Sequence, residues 1–273
     1  MDALKELQEK WTLQNYESEV QQRIWDRRAE SFSAHPLPAW DKDLFLQRMA
    51  EEVPLDCSSR TLDVGCGAGG YSIRLAERVG EAVGVDVSPN MIAAAEARAA
   101  ELGVTNCRFS AFDWAAADID ALGFRGAFDV AFAHMTPAIC DFATLDKLNA
   151  CSGNLVMLEK PTRRTNQIQD ACFAAVGLPG EKSLDTDLIN IFTYAWCKGY
   201  EPKLFYITEN WDMPQNAEEF TAWCTDRARL KKPLTEADEA AIRDLIASHT
   251  DENGKVQEHT VTTRVTVLWH VKK

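Results

Sequence analysis

Residues 61–70, TLDVGCGAGG, set four glycines in a six-residue loop directly behind a short apolar run. The stretch parses as G-x-G-x-x-G through Gly65, Gly67 and Gly70, the spelling of a dinucleotide loop. It parses equally as D-x-G-x-G-x-G through Asp63, Gly65, Gly67 and Gly69. Both spellings rest on the same physics. Glycine lets a backbone turn tightly and come close to a ligand, and the next helix offers unpaired N–H groups and the positive end of its dipole. A tight strand-to-helix turn with no ligand would read the same way.

The surroundings of the loop set the fold class. RTLDVG ends a first strand, AVGVDV makes a second, CRFSAFD a third, AFDVAFAH a fourth and NLVMLEK a fifth. YSIRLAERVG reads as a helix closed by Gly80. SPNMIAAAEARAAELG reads as a helix with Ser88 as N-cap, Pro89 in its first turn and Gly103 just past its end. Strands with near-continuous apolar runs that alternate with helices predict a parallel sheet covered on both faces. Beyond residue 160, NQIQDACFAAVG, DLINIFTYAWCKG, 217–230 and 235–248 read as helices, and Thr235 with Asp238 makes a start of capping-box type. KLFYIT (203–208) and the alternating 260–271 read as strands. Residues 1–50 are helical with aromatic punctuation. Leu4, Leu7 and Trp11 share one face, and HPLP (35–38) breaks the pattern. No repeat or linker divides the chain, so one domain is expected.

Composition limits the partners. The 273 residues are 46% hydrophobic and 26% charged, and 42 acidic against 29 basic side chains give a net charge of −13. Such a surface repels phosphate backbones and anionic lipid. No apolar run approaches the roughly 20 residues of a membrane span, and the charged N-terminal segment lacks the apolar centre of a signal peptide. The eight cysteines are scattered, with no C-x-x-C pair and no clustering with histidine, which predicts idle thiols in a reducing cytoplasm and no metal site. The expected partner is a small molecule, not nucleic acid or membrane, with monomer and homodimer both open.

Three features separate the two parsings, although Asp86, about 20 residues past the loop, suits either. Asp63 stands where a dinucleotide loop has an apolar residue, and a carboxylate there suits a ligand with ammonium and sulfonium charge. Asp86 opens DVSPNM, whose Met91 is placed to flank an adenine. Phe112-Asp113-Trp114 closes the third strand with a carboxylate and aromatic surface. Over residues 60–135 the chain resembles the class I S-adenosylmethionine (SAM) dependent methyltransferases. The resemblance implies a seven-stranded, mostly parallel sheet with an antiparallel last strand, helices on both faces and a helical N-terminal lid. It also implies SAM as cofactor, held by Asp63, Gly65, Cys66, Gly67, Gly69, Asp86, Val87, Met91, Phe112, Asp113, Trp114 and Ala133, with Trp25 from the lid. Residues 1–50 would then form the lid, 55–160 the cofactor half, and 161–273 the substrate-side helices and closing strands.

Ligands of open α/β sheets bind outside the carboxyl ends of the strands, which places HMTPAIC (134–140) and EKPTRR (159–164) beside the methyl donor. The amino-DNA methylating members of the family carry Asx-Pro-Pro-aromatic after the fourth strand, where this chain has His134-Met135-Thr136-Pro137. The departure favours a small-molecule O, N or S acceptor. His134 is the candidate general base, with a plain hydrogen-bonding role as the alternative. Lys160, Arg163 and Arg164 form a basic cluster that either clamps a carboxylate or marks a solvated helix start. Trp11, Tyr16, Trp25 and Trp40 are candidates to close an apolar pocket. A nicotinamide-dependent oxidoreductase and a non-catalytic SAM-binding protein are the competing readings.

Overall fold

The structure, a computed structural model, describes residues 3–13, 17–179 and 184–271. Four helices come first: α1 (Ala3–Lys10), α2 (Ser18–Asp26), α3 (Ala29–Ser33) and α4 (Leu44–Glu52). Strands and helices then alternate as β1 (Arg60–Val64), α5 (Gly70–Leu75), β2 (Glu81–Asp86), α6 (Pro89–Glu101), β3 (Cys107–Ala111), β4 (Phe128–His134), α7 (Phe142–Cys151) and β5 (Ser152–Asn166). The chain closes with α8 (Gln167–Ala175), α9 (Leu184–Cys197), β6 (Lys203–Asn216), α10 (Ala217–Arg229), α11 (Glu236–Ser248) and β7 (Lys255–His270).

The seven strands form one sheet in the order β3-β2-β1-β4-β5-β7-β6. Strands β1 to β5 pair in parallel, and β7 runs antiparallel between β5 and β6. The expected architecture is therefore present, including the single reversed strand. Its two faces bury separate apolar layers. Trp11, just past α1, lies in one layer with Leu145, Tyr194 and Trp269 from α7, α9 and β7. Phe45, Met49, Leu75 and Phe132 lie in the other. The cap signals read from sequence are real bonds. Ser88 Oγ accepts from the Met91 N–H, and Thr235 and Asp238 exchange both bonds of a capping box.

Element ends differ from the sequence reading in four places. The helix expected over 71–80 stops at Leu75, and the third strand ends at Ala111, leaving Phe112-Asp113-Trp114 in the following loop. The fifth strand, read as 154–160, continues to Asn166, and β6 and β7 are equally long. Lys160, Arg163 and Arg164 therefore sit within a strand and not at a helix start. The reason is cooperative pairing. The alternation of 255–270 supplies a template along which β5 and β6 extend beyond the parallel sheet. On this extension α8, α10 and α11 pack around Phe173, Phe220, Cys224, Ile242, Ile246 and Val256. The result is a separate roof above the strand ends.

Candidate active site

The glycine loop turns through three left-handed residues, Gly65, Gly67 and Gly69 (φ +77°, +51° and +74°), which only glycine adopts without strain. Each has a different neighbour. A Cβ at Gly65 would lie 2.0 Å from Thr136 Oγ1, because the loops after β1 and β4 are in contact. One at Gly69 would press on Ala95 and Phe109 at 2.9 Å, whereas one at Gly67 meets nothing nearer than 3.9 Å. Gly65 and Gly69 are thus glycine for packing. Gly67 is the position left open toward a ligand.

Beside the loop lies a cavity of about 320 Å³. Asp63, Gly65, Cys66, Gly67, Asp86, Val87, Met91, Phe112, Asp113, Trp114 and His134 line it, and Trp25 covers it from the lid. Gly69 and Ala133 do not line it. Gly69 turns toward α6, and Ala133 is 1% exposed within the sheet core. Of the proposed lid aromatics, Trp11 packs in the core below the sheet and Trp40 stacks against Arg78 on the surface. Tyr16 lies outside the described residues. The HPLP stretch, read as an interruption, supplies His35, Pro36 and Pro38 to the cavity wall, with Phe32 edge-on to Trp25.

The electrostatics of the cavity floor are those of a cation site. Asp63 is 3% exposed and its carboxyl is pushed up to about 7, by burial first and by the neighbouring Asp86 charge, against a 2.8 Å bond from Ser72 Oγ. Burial also raises Asp86, which accepts the N–H groups of Gly67 and Ser88 at 2.9 Å each. The Gly67 N–H that would face a pyrophosphate in a dinucleotide loop is thus directed at a carboxylate. Asp113 adds a third acid on the same wall.

His134 closes β4 at the edge of this cavity. Its Nε2 lies 2.9 Å from Tyr71 Oη and 3.0 Å from Glu159 Oε1. Tyr71 donates its own proton to Asp43 Oδ2 at 2.8 Å. Glu159 is 3% exposed and accepts from Arg264 Nη1 at 2.7 Å and Thr266 Oγ1 at 2.8 Å. Burial works to raise the Glu159 carboxyl, but the bonds and charges of His134 and Arg264 outweigh it and hold it below the ordinary range. An ionised carboxylate can only accept, so Nε2 carries the proton and Nδ1 is left to accept one. Neither Tyr71 nor Glu159 was assigned a role from the sequence. Tyr71 is supplied by α5, directly behind the glycine loop, and Glu159 by the pairing of β4 with β5, which registers it opposite His134.

The basic cluster expected at 160–164 is not one cluster. Lys160 is 7% exposed, and its ammonium donates to the carbonyls of Thr136 (2.9 Å) and Ile139 (2.5 Å), anchoring the loop after β4. Arg163 is exposed, and Arg164 reaches toward Glu258 at 3.8 Å.

Comparison with known proteins agrees with this geometry. Residues 55–172 match the family model described as a methyltransferase domain. A Geobacillus sp. (strain WCH70) protein named as a methyltransferase is 40% identical over 70 residues, 26% of this chain and 28% of its own. The 23S rRNA (uracil(747)-C(5))-methyltransferase of Citrobacter koseri is 30% identical over 90 residues, 33% of this chain and 23% of its own. The chain thus spans about a quarter of the length of these curated relatives. A SAM-dependent methyltransferase from Geobacter sulfurreducens, solved with S-adenosyl-L-homocysteine, is 17% identical, with 90% of this chain and 97% of that chain covered and a TM-score of 0.50. The chain has the class I SAM-dependent methyltransferase fold.

Proposed function

We propose that the chain transfers a methyl group from SAM to an O, N or S atom of a small molecule, in the cytoplasm. The observation that carries this is the acidic floor, Asp63, Asp86 and Asp113 around one glycine loop, with the Gly67 N–H already directed at a carboxylate. These residues suit a ligand bearing ammonium and sulfonium charge and oppose a pyrophosphate. Bound there, SAM supplies a methyl group already activated on sulfur and leaves as a neutral thioether. The protein's task is then to position the acceptor, exclude water and take up a proton. His134 Nδ1 takes the acceptor's proton as the acceptor atom gains its fourth substituent or its new bond to carbon. Glu159 holds the imidazole in the required tautomer and stabilises the imidazolium that results.

A small acceptor is supported by the net charge of −13 and by the roof and lid above the strand ends. Among the described residues no helix is long and apolar enough to cross a membrane. In this reading residues 1–50 act as the lid, 55–160 hold the cofactor and 161–273 hold the acceptor, as one unit. Calorimetric titration with S-adenosylhomocysteine and with NADH tests the floor. Binding of the first and not the second is expected, and a clear NADH isotherm would overturn the assignment. His134→Ala should then cut turnover by roughly 10²-fold or more with S-adenosylhomocysteine affinity little changed. Equal losses in both would reduce His134 to a cofactor contact.

A further inference from the structure

The roof holds a second set of charges, opposite in sign to the floor and unused by the chemistry so far. It originates in a break in strand pairing. On β5, Thr162 faces Thr263 of β7 but Thr165 faces Val261, so one extra residue is inserted opposite Thr262. The insertion falls at Arg163, which adopts a left-handed φ of +49° that costs a residue with a Cβ roughly 1 kcal/mol or more. Side chains alternate along a strand, so the bulge switches the parity of β5. Glu159 before it and Arg164 and Asn166 after it all come to the same face. The face is fixed by its bonds. Glu159 accepts from Arg264 and Thr266, and Asn166 donates to Glu258 (2.6 Å) and Thr260 (2.8 Å).

Arginines from three elements converge on the far end of this face. Arg164 lies 3.8 Å from Glu258 and 5.7 Å from the Trp211 ring. Arg28, from the α2–α3 junction of the lid, stacks 4.4 Å over Trp223 of α10, and Arg227 approaches the same ring at 5.4 Å. Arg28 feels the charges of Glu258, Arg164, Glu219 and Arg227 together. Three guanidiniums thus share two carboxylates, one of which already accepts from Asn166 and Thr260. Four buried polar atoms of this region have no partner: Nε of Arg28, Arg164 and Arg264, and Oγ1 of Thr262, a residue 0% exposed. A buried polar group left unsatisfied costs about 1–3 kcal/mol. Four together, in a chain of net charge −13, are the pattern of a place suited to an anion.

We propose that this face is an oxyanion subsite, in which Arg28, Arg164 and the Thr262 hydroxyl bind a carboxylate or phosphate carried by the methyl acceptor. The proposal rests on the methyltransferase reading above, because Arg264 joins the face to Glu159 and so to His134. About 15 Å of strand separates Glu159 from Arg164. The acceptor is therefore an elongated acid whose reacting atom and anionic group lie at opposite ends. The strained bulge has a purpose in this arrangement: without it Arg164 would point to the other face.

The test uses the whole chain and probes that need no knowledge of the acceptor. Thermal melts with inorganic phosphate and with acetate, each against sodium chloride at equal ionic strength, should show a saturable rise in Tm for at least one oxyanion. Whichever is bound more tightly identifies the group. Arg164→Gln should weaken that binding by about tenfold or more and Thr262→Val several-fold, with S-adenosylhomocysteine affinity within twofold of the parent in both. Arg164→Lys and Thr262→Val preserve the test if Arg164→Gln does not fold. No response beyond chloride, or a response that survives both substitutions, overturns the subsite. In turnover against paired acids and amides, the acids should react with lower KM, and Arg164→Gln should raise KM with kcat little changed. Equal KM for acid and amide, or transfer to RNA in preference to small acids, overturns the link to the acceptor. Failure of S-adenosylhomocysteine to bind would strike the methyltransferase reading and leave the anion result to be judged by itself.

Discussion

The floor and the roof of this site are built from opposite materials. The floor is three aspartates at or just past the ends of parallel strands, Asp63 accepting from Ser72 Oγ and Asp86 and Asp113 from backbone N–H groups. The roof is a cluster of arginines brought together from residues 28, 164 and 227 by long antiparallel strands and helices. If the proposed function and subsite hold, this separation sorts the two ligands by charge in a protein with a large acidic excess, with a cation favoured below, an anion above, and His134 with Glu159 at the boundary where the proton would change hands. The floor is expected to answer to substitution in cofactor affinity, and the roof in acceptor handling.

The hardest blow to the floor is Gly65→Ala. Its Cβ would overlap Thr136 Oγ1 at a φ of +77°, so both the space and the backbone oppose it. A loss of about 3 kcal/mol is expected, lowering Tm by roughly 6–12 °C for a chain of this size. Gly67→Ala is the matched control, with strained φ but open space. It should cost only about 1 kcal/mol of stability while weakening S-adenosylhomocysteine binding at least as much as Gly65→Ala does. If the two melt alike, the contact between the β1 and β4 loops is not what makes residue 65 a glycine.

At the boundary, Glu159→Gln keeps the shape and the acceptor oxygen but gives up the charge that His134 and Arg264 share. Turnover should fall by roughly 10- to 10²-fold, with cofactor affinity within about twofold of the parent. A variant whose turnover is unchanged would make Glu159 a structural anchor of β7. Lower on the floor, Asp86→Ala removes a carboxylate suited to two ribose hydroxyls, each charge-assisted bond being worth about 1.5–3 kcal/mol. S-adenosylhomocysteine affinity should fall by about tenfold or more. Unchanged affinity with an intact melt would mean that another acid holds the ribose.

The two regions also differ in how far they could be read from sequence. The floor was legible because its signals are local. A glycine loop, an acid two residues before it and an acid closing each of the next strands all lie within residues 60–115 of a rhythm that names its own fold. The roof was not, for a physical reason. Arg164 was noticed only as a neighbour of Lys160 and Arg163, but a bulge and the parity of a strand send these three to three environments. The partners that matter to Arg164, at positions 28, 227, 258 and 262, are joined to it by tertiary pairing alone. Glu159 was missed likewise, since its role needs β4 and β5 side by side, and Tyr71 because its link to His134 needs α5 docked beside the end of β4. Trp11 and Trp40 failed as lid residues because an aromatic at helical spacing serves a core as readily as a pocket, and only packing decides.

The smallest expected effect concerns pH, and it separates what the floor does for the fold from what it does for the ligand. The Asp63 carboxyl is raised from an ordinary 3.8 to about 7, by burial first and then by Asp86. The folded protein therefore binds more protons than the unfolded chain between those two values. The stability this confers is fully present below pH 3.8 and is lost as pH rises through 7. The ligand-free protein should accordingly lose stability from Asp63 progressively between about pH 4 and pH 7 and little more above that. Ligand binding should run the other way, because the ligand's ammonium group needs the ionised carboxylate. Between pH 7.5 and pH 6, affinity for S-adenosylhomocysteine should fall several-fold as Asp63 takes up its proton. Asp63→Asn removes the titration and keeps an oxygen to accept from Ser72. It should flatten that pH dependence, bind weakly at every pH, and melt higher than the parent at pH 8. A variant that melts lower at pH 8, or that keeps the parent's pH dependence, would move the titrating group from Asp63 to Asp86, whose carboxyl is raised by the same burial.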